Sequence, residues 1–329
     1  MKKILFAIGV IAIVGLGIYA ILNIAQKSDT ASGKISVVTT LFPQYDFAKA
    51  IGGDKVDVTL LLPPGVEAHA YEPKPSDITK INNANIFVYT GEFMEPWAHD
   101  IIEGATKNVK VVDASNGIEL MKEEEGDEHE EEHEHEEADH HESEEGHHHH
   151  HGGVDPHIWL DFENAEIMAE NIAKALQEVD LENAEFYQEN LKIYKQKLSN
   201  LDDEYKNTLS TCPSKSIVYG GHSAFGYMAK RYGLSYTAAQ GFSPDSEPTA
   251  KDMIALVEQI KNENIDYIFY EELTSPKIAE TLANETNTKM LPLNGAHNLA
   301  KEDYESGASF ISIMEENLKN LSVGLDCQK

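Results

Sequence analysis

Residues 180–209, DLENAEFYQENLKIYKQKLSNLDDEYKNTL, predict one long amphipathic helix near the middle of the chain. Apolar side chains recur in it at steps of three and four residues, which places them on one face of an α-helix. These side chains belong to Tyr187, Leu191, Tyr194, Leu198, Leu201, Tyr205 and Leu209. Asp180 is the predicted N-cap, and a shorter helix precedes it, so residues 161–210 form a helical linker between two folded regions.

The N-terminal region, residues 35–160, alternates short strands with helices. The predicted strands span residues 35–40, 56–62, 86–89 and 109–112. The predicted helices span residues 43–51, 76–83 with Ser76 as N-cap, and 95–103. Strands that alternate with helices at this spacing pair in parallel, so we expect an α/β lobe.

The C-terminal region, residues 211–329, repeats this rhythm. Its predicted strands lie near residues 216–219, 236–239, 267–270 and 290–293. Its helices begin near Ala224, Thr249 and Pro276, and a final helix spans residues 301–321. The sequence therefore predicts an α/β fold with two lobes, each built on a parallel sheet and joined by the long helix.

Residues 121–153 interrupt the N-terminal region with a run of glutamate and histidine. Ten of the fifteen histidines lie there: His129, His133, His135, His140, His141, His147, His148, His149, His150 and His151. Almost nothing in the run is apolar enough to build a core, so we expect a solvated, disordered loop. Neutral imidazoles and carboxylates bind divalent cations, which favours weak auxiliary metal sites over plain solvation.

The charge of the chain bears on its partners. The net charge is −31, and without residues 121–151 the chain still has 42 acidic and 25 basic residues, a net charge of −17. Such an acidic surface repels the phosphate backbone, so we expect no nucleic acid partner.

The first residues predict export from the cytoplasm. Two lysines precede a nearly unbroken apolar stretch, residues 4–24, so residues 1–25 are a cleavable signal peptide or an uncleaved membrane anchor. Residues 26–34 form a polar linker. No cysteine ends the apolar stretch, which argues against lipid attachment there. In an extracytoplasmic compartment Cys212 and Cys327, the only cysteines, can form a disulfide or remain free, and both alternatives fit the sequence.

Five histidines lie outside the run. His69, His222 and His297 each follow a predicted strand, and His157 lies in the turn before the linker helices. Ligands of parallel α/β sheets bind beyond the carboxyl ends of the strands, so these four can meet between the lobes. A single histidine is more often structural, but four at such positions predict a Zn²⁺ site. His99 lies within a helix, and we expect it on the surface.

One candidate enzyme motif fails on its spacing. Residues 221–226, GHSAFG, have the pattern G-x-S-x-x-G and not the G-x-S-x-G of a nucleophile elbow. A catalytic zinc keeps an open coordination position, whereas four protein ligands close the shell. We expect no covalent chemistry. The alternatives are a zinc hydrolase with an open position and a metal-buffering or adhesive surface protein.

Four stretches of the sequence resemble the metal-specific solute-binding proteins of ABC importers, the zinc and manganese group. They are residues 69–77 (HAYEPKPSD), 155–161 (DPHIWLD), 222–227 (HSAFGY) and 241–248 (GFSPDSEP). They occur in the family's order, and the resemblance extends over residues 34–321.

The resemblance implies two (βα)₄-like lobes, a long rigid linker helix and one metal ion held between the lobes by His69, His157 and His222. Manganese-type members tend to have a carboxylate at the third position, so His222 favours zinc. The fourth ligand is often an acid in the loop before the last helix. Here that loop, residues 294–297, contains no acid, and His297 is the expected ligand. The histidine-rich loop is similar to that of zinc members.

The expected function is that of a monomeric receptor that captures Zn²⁺ outside the cytoplasm and passes it to an ABC permease. Its rigid linker helix should limit closure of the lobes, so release should need only small loop movements. Carboxylates commonly orient the imidazoles that bind a metal, and Glu72, Asp161 and Glu247 are the candidates for this role.

Overall fold

Two parallel sheets of four strands form the framework of the fold. The computed structural model describes residues 33–106, 108–122, 153–244, 247–271 and 273–328. The predicted signal or anchor and the ten histidines of the run lie outside these ranges.

The N-terminal sheet has the strand order β2-β1-β3-β4, and all neighbours are parallel. Its strands are β1 (Ile35–Thr39), β2 (Val56–Leu60), β3 (Ile86–Tyr89) and β4 (Lys110–Asp113). The helices of this lobe are α1 (Phe42–Gly52), α2 (Pro75–Asn83) and α3 (Ala98–Ala105). Helices cover both faces of a parallel sheet, and the central β-strand residues Val37, Phe87 and Val88 are accordingly buried.

The C-terminal sheet has the equivalent order β6-β5-β7-β8, again with parallel neighbours. Its strands are β5 (Ser216–Tyr219), β6 (Ser235–Ala238), β7 (Tyr267–Tyr270) and β8 (Lys289–Pro292). Two helices, α4 (Phe162–Val179) and α5 (Ala184–Ser210), precede this lobe. Its own helices are α6 (Gly226–Tyr232), α7 (Ala250–Asn262), α8 (Lys277–Thr286), α9 (Lys301–Ser306) and α10 (Phe310–Gly324). The predicted fold class, two parallel α/β lobes with a long helix, is confirmed.

Helix α5 joins the lobes by packing against both. It has 27 residues, and its seven predicted apolar residues are all buried. Tyr194 donates a hydrogen bond to Asp46 of α1 at 3.1 Å, and Tyr205 donates one to the backbone oxygen of Met314 in α10 at 2.6 Å. One hydrophobic core runs through both lobes and this helix. The helix therefore ties the lobes together along about 40 Å of its length.

Three predicted helix boundaries are wrong. Helix α2 begins at Pro75 and not after Ser76, because proline suits the first helical position and Asp77 accepts a hydrogen bond from the Lys74 amide. Helix α3 begins at Ala98, three residues later than predicted. Helix α6 begins at Gly226 and not near Ala224.

Two further corrections concern the long helices. Asp180 ends α4, and a 3₁₀ turn (Leu181–Asn183) follows, so the N-cap of α5 is Asn183. The predicted last helix is divided, because Gly307 takes a left-handed conformation and Ser309 caps a new helix.

The structure joins Cys212 and Cys327 in a disulfide, which connects the end of α5 to the segment after α10. It thus decides between the two alternatives left by the sequence. Within the described ranges, no helix combines the length and apolarity needed to cross a bilayer.

Candidate metal centre

Three histidines from three separate loops meet between the lobes. His69 lies between β2 and α2, His157 directly precedes the 3₁₀ turn Ile158–Leu160, and His222 follows β5. The Nε2 atom of His157 lies 3.2 Å from that of His69 and 3.2 Å from that of His222. Two ligands of a tetrahedral zinc ion lie about 3.4 Å apart when each bond is about 2.1 Å. Both distances from His157 therefore match the spacing of zinc ligands, and the ligand atoms of all three histidines lie within 4.8 Å of one another.

A carboxylate orients His157. The Oδ1 atom of Asp155 lies 2.8 Å from Nδ1 of His157 and also accepts a hydrogen bond from the His157 amide at 2.9 Å. Burial lowers the pKa of His157 well below its usual value, and the nearby His222, His69 and His297 lower it further. Burial also raises the pKa of Asp155 to about 7. The imidazole is thus neutral, and the proton on Nδ1 leaves the Nε2 lone pair directed at the other histidines.

A second carboxylate does the same for His222. The Oε2 atom of Glu271, at the end of β7, lies 2.9 Å from Nδ1 of His222. Burial is the largest single influence and opposes ionisation of Glu271, but the hydrogen bonds with His222 and Thr274 and the charge interactions with His222 and His297 together lower the pKa of the carboxyl group. An ionised Glu271 accepts a hydrogen bond from Nδ1–H and directs Nε2 of His222 towards His157.

His297 occupies a different position. It is buried beside Glu271, with 3.6 Å between its Nε2 atom and Glu271 Oε1. Within the described residues neither of its ring nitrogens has a hydrogen-bond partner. Burial lowers its pKa to about 4, so the ring is neutral. It groups with His222 and Glu271, while His69, His157 and His222 form the other group of possible ligands. The structure thus brings three of the four predicted ligands together and places His297 next to them.

The predicted orienting residues are wrong. Asp161 caps α4 by accepting the Glu163 amide and forms an ion pair with Arg231 at 3.1 Å. Glu72 and Glu247 are exposed. The orienting role belongs to Asp155, two residues before His157 within a quoted motif, and to Glu271, whose position at a strand end is the signal that could have identified it.

The remaining predicted histidines lie elsewhere. His99 is on α3 with an exposed side chain, as expected. The auxiliary histidines lie outside the described residues. Within their run, residues 129–133 (HEEEH) fit the H-E-x-x-H pattern of zinc proteases, but a segment composed mainly of Glu and His matches that pattern by composition alone.

Two parallel α/β lobes joined by a long helix, with imidazole nitrogens close together between them, define a metal-binding protein of the solute-binding class. The family described as "Zinc-uptake complex component A periplasmic" matches residues 37–324. The chain belongs to this family.

Its relatives carry zinc-related names. The high-affinity zinc uptake system protein ZnuA of Bacillus subtilis is 40% identical over 91% of this chain and 90% of its own length. The zinc-binding lipoprotein AdcA of Streptococcus pneumoniae is 37% identical over 90% of this chain, which spans 57% of AdcA.

Solved structures show the same fold. The Zn(II)-bound ZnuA-like domain of S. pneumoniae AdcA has a TM-score of 0.72 and 35% identity, covering 89% of this chain and 100% of that one. The laminin-binding protein Lmb of Streptococcus agalactiae has a TM-score of 0.75 and 28% identity, covering 88% and 99%. It is described as a bifunctional protein with adhesin and metal-transporting activity.

Proposed function

We propose that this protein captures Zn²⁺ outside the cytoplasm and delivers it to an ABC permease in the membrane. The observation that carries the proposal is that Nε2 of His157 lies 3.2 Å from Nε2 of both His69 and His222. Buried carboxylates orient two of these three imidazoles. The zinc-related names of its family and relatives support the same ion.

The proposed ligands are His69, His157 and His222, with His297 as the fourth. Imidazole suits zinc better than manganese, which prefers oxygen ligands. Both ring nitrogens of His297 lack a hydrogen-bond partner in the described part of the chain and are fully buried, where a polar atom is costly unless something binds it. Among the described residues Glu271 Oε1 also has no hydrogen-bond partner, and it competes with His297 for the fourth position.

The proposed role involves no catalysis. Asp155 and Glu271 each use one carboxylate oxygen to hydrogen-bond to an imidazole, which is the role of groups that orient metal ligands and not that of a general base. This disfavours the zinc hydrolase. The histidine-rich run supplies additional weak sites, and the chain acts as a monomer without nucleic acid.

The domain organisation that we propose follows the sequence. Residues 1–25 direct export or anchor the chain, and residues 26–34 link them to the folded part. The lobes are residues 35–160 and 211–329, with the helices of residues 161–210 between them.

Zinc titration of the purified protein tests the proposal. With a competing chelator we expect one tight zinc ion per chain, weaker binding of manganese, and loss of the tight ion in His69→Ala. The exposed His99→Ala is the matched control and should bind as the parent does. In cells that lack the gene, the parent but not His69→Ala should restore growth at low zinc. A parent chain without a tight zinc ion would refute the proposal.

A further inference from the structure

The segment between β8 and α9 crosses from one lobe to the other. We call residues 294–299 the strap. On the C-terminal side, Asn317 of α10 hydrogen-bonds to the backbone N and O atoms of Asn294, both at 2.8 Å. In the middle, Trp159 donates a hydrogen bond to the Gly295 oxygen at 2.7 Å. These hydrogen bonds fix the backbone at the beginning of the strap, which also carries His297.

Asn298 attaches the far end of the strap to the loop that carries His69. Its fully buried side-chain amide donates hydrogen bonds to the backbone oxygens of Pro63 at 2.8 Å and Val66 at 2.7 Å. The Gly65 amide donates one to the Leu299 oxygen at 2.7 Å. Residues 61–74, which we call the His69 loop, therefore depend on the strap for part of their position.

Opening of the site must be local. Helix α5 and a continuous core tie the lobes together, so parting the whole lobes would break a large apolar contact. His69 is half-buried, whereas His157, His222 and His297 are almost fully buried. The His69 loop is therefore the element whose detachment exposes the ion to solvent at the lowest cost.

We propose that Asn298 is a positioning residue that latches the His69 loop to the strap and thereby sets the rate at which bound zinc leaves. This inference rests on the proposed function. The latch bonds exist only in the closed arrangement, so removing them favours the open one. Dissociation should accelerate, while association, which starts from the open arrangement, should change little.

The test compares Asn298→Ala with Asn171→Ala. Asn171 of α4 makes the same kind of contact, since its amide donates to the Ala114 and Asn116 oxygens at 3.1 and 2.9 Å, but it lies outside the candidate site. Zinc-loaded proteins are mixed rapidly with excess chelator, and the release rate is recorded. We expect Asn298→Ala to release zinc about tenfold faster, the equivalent of about 1.4 kcal/mol, because the two hydrogen bonds from this side chain to the His69 loop are lost.

The control should release zinc at the parental rate. Equal rates for Asn298→Ala and the parent would refute the latch. Thermal melts of the metal-free variants separate this effect from general loss of stability, which both substitutions should cause. The parent is titrated first, so failure of zinc binding itself is a separate outcome.

A second measurement uses the unmutated protein and is independent of whether the variant folds. Hydrogen exchange of the Gly65 amide reports detachment of the His69 loop, because this amide bonds to Leu299. Bound zinc should slow this exchange. The hydrogen bond of the Gly65 amide should open at a rate at least equal to the rate of zinc release. An amide that stays protected while zinc is repeatedly released would show that release takes another route.

Discussion

His157 and His297 are both fully buried neutral imidazoles at the boundary between the lobes, yet only one has the setting of a preorganised ligand. Asp155 holds His157 by its Nδ1 atom, and the opposite nitrogen points at two other imidazoles. Within the described residues the ring nitrogens of His297 have no hydrogen-bond partner, and the ring lies beside Glu271. Burial thus keeps an imidazole neutral, but a hydrogen-bonded carboxylate is needed to fix the orientation of its ring.

Of the two substitutions that separate these histidines, His157→Ala should have the larger effect on zinc binding. Structural zinc sites bind with about 10 to 16 kcal/mol through four ligands, so one oriented ligand corresponds to about 100- to 1,000-fold in affinity. Chelator-competition titration measures this loss. A His157→Ala protein that binds zinc within a few-fold of the parent would remove His157 from the site and undo the comparison.

Acid should reveal what the two histidines share. The pKa of His297 is about 4 in the folded protein and about 6.5 in the unfolded chain, so between these values the unfolded state binds more protons. The stability of the metal-free protein should therefore fall as pH falls from about 6.5 to 4. Between pH 7 and about pH 4.5, the free energy of unfolding should fall by about 2 to 3 kcal/mol less in His297→Asn than in the parent.

Urea unfolding of the metal-free parent and variant at both pH values provides the measurement. His157→Asn should show an effect of the same sign, because burial also lowers the pKa of His157. Parallel pH curves for the parent and both variants would mean that neither imidazole is held neutral by burial.

The orienting carboxylates should have an intermediate effect. Asp155→Asn preserves shape but weakens the acceptor for His157 Nδ1, and a loss of such a partner typically costs about 10- to 100-fold in metal affinity. Glu271→Gln should act similarly through His222. Glu72→Gln, an exposed carboxylate near His69 in sequence, is the control. Zinc titrations in which all three variants match the parent would show that orientation contributes little.

His297→Ala should weaken zinc binding by about tenfold, less than His157→Ala. Its ring is not aimed by a partner, and Glu271 Oε1, 3.6 Å away, or water can take the fourth position. The same titration measures it. Binding as tight as in the parent would identify His297 as a bystander and leave a site of three histidines.

The smallest effect on the tight site should follow from deleting residues 124–151. The shortened chain keeps the pairing of Lys122 with Val154 and joins them through Glu123, Gly152 and Gly153. We expect the shortened chain to keep its fold and to bind one tight zinc ion with an affinity within about twofold of the parent's. The additional, weakly bound zinc ions should be lost. Their binding is weak because the segment must become ordered to bind them. Titration and thermal melts measure both. Loss of the tight ion would place a ligand in the deleted segment.

The strands and the core face of α5 were predictable because short apolar runs and a repeat of three and four residues report burial directly. Helix ends were harder, since they depend on single contacts. Ser76 has the chemistry of an N-cap, but Pro75 at the first helical position shifts the start, and Gly307 divides a segment whose other residues continue a helical pattern.

The candidate site shows the same division. The strand-end positions of His69 and His222, and the turn before the linker helices that contains His157, made their proximity predictable, because parallel strands share one carboxyl edge. The sequence does not reveal which carboxylate meets which imidazole. Glu271 is 49 residues from His222, and only the neighbouring strands β5 and β7 make them adjacent. His297 shares the strand-end position without sharing the hydrogen bonding.

The pairing of Lys122 with Val154 also makes this part of the chain modular. Next to this pair, the Asp155 amide donates a hydrogen bond to the Met121 oxygen. The chain segments on either side of the histidine-rich run are therefore held side by side by backbone contacts of the folded protein. The cost of closing a loop between fixed ends rises by only about 0.6 kcal/mol for each doubling of its length. Segments of very different length and composition can therefore be exchanged at this position in evolution or by design, with little demand on the rest of the protein.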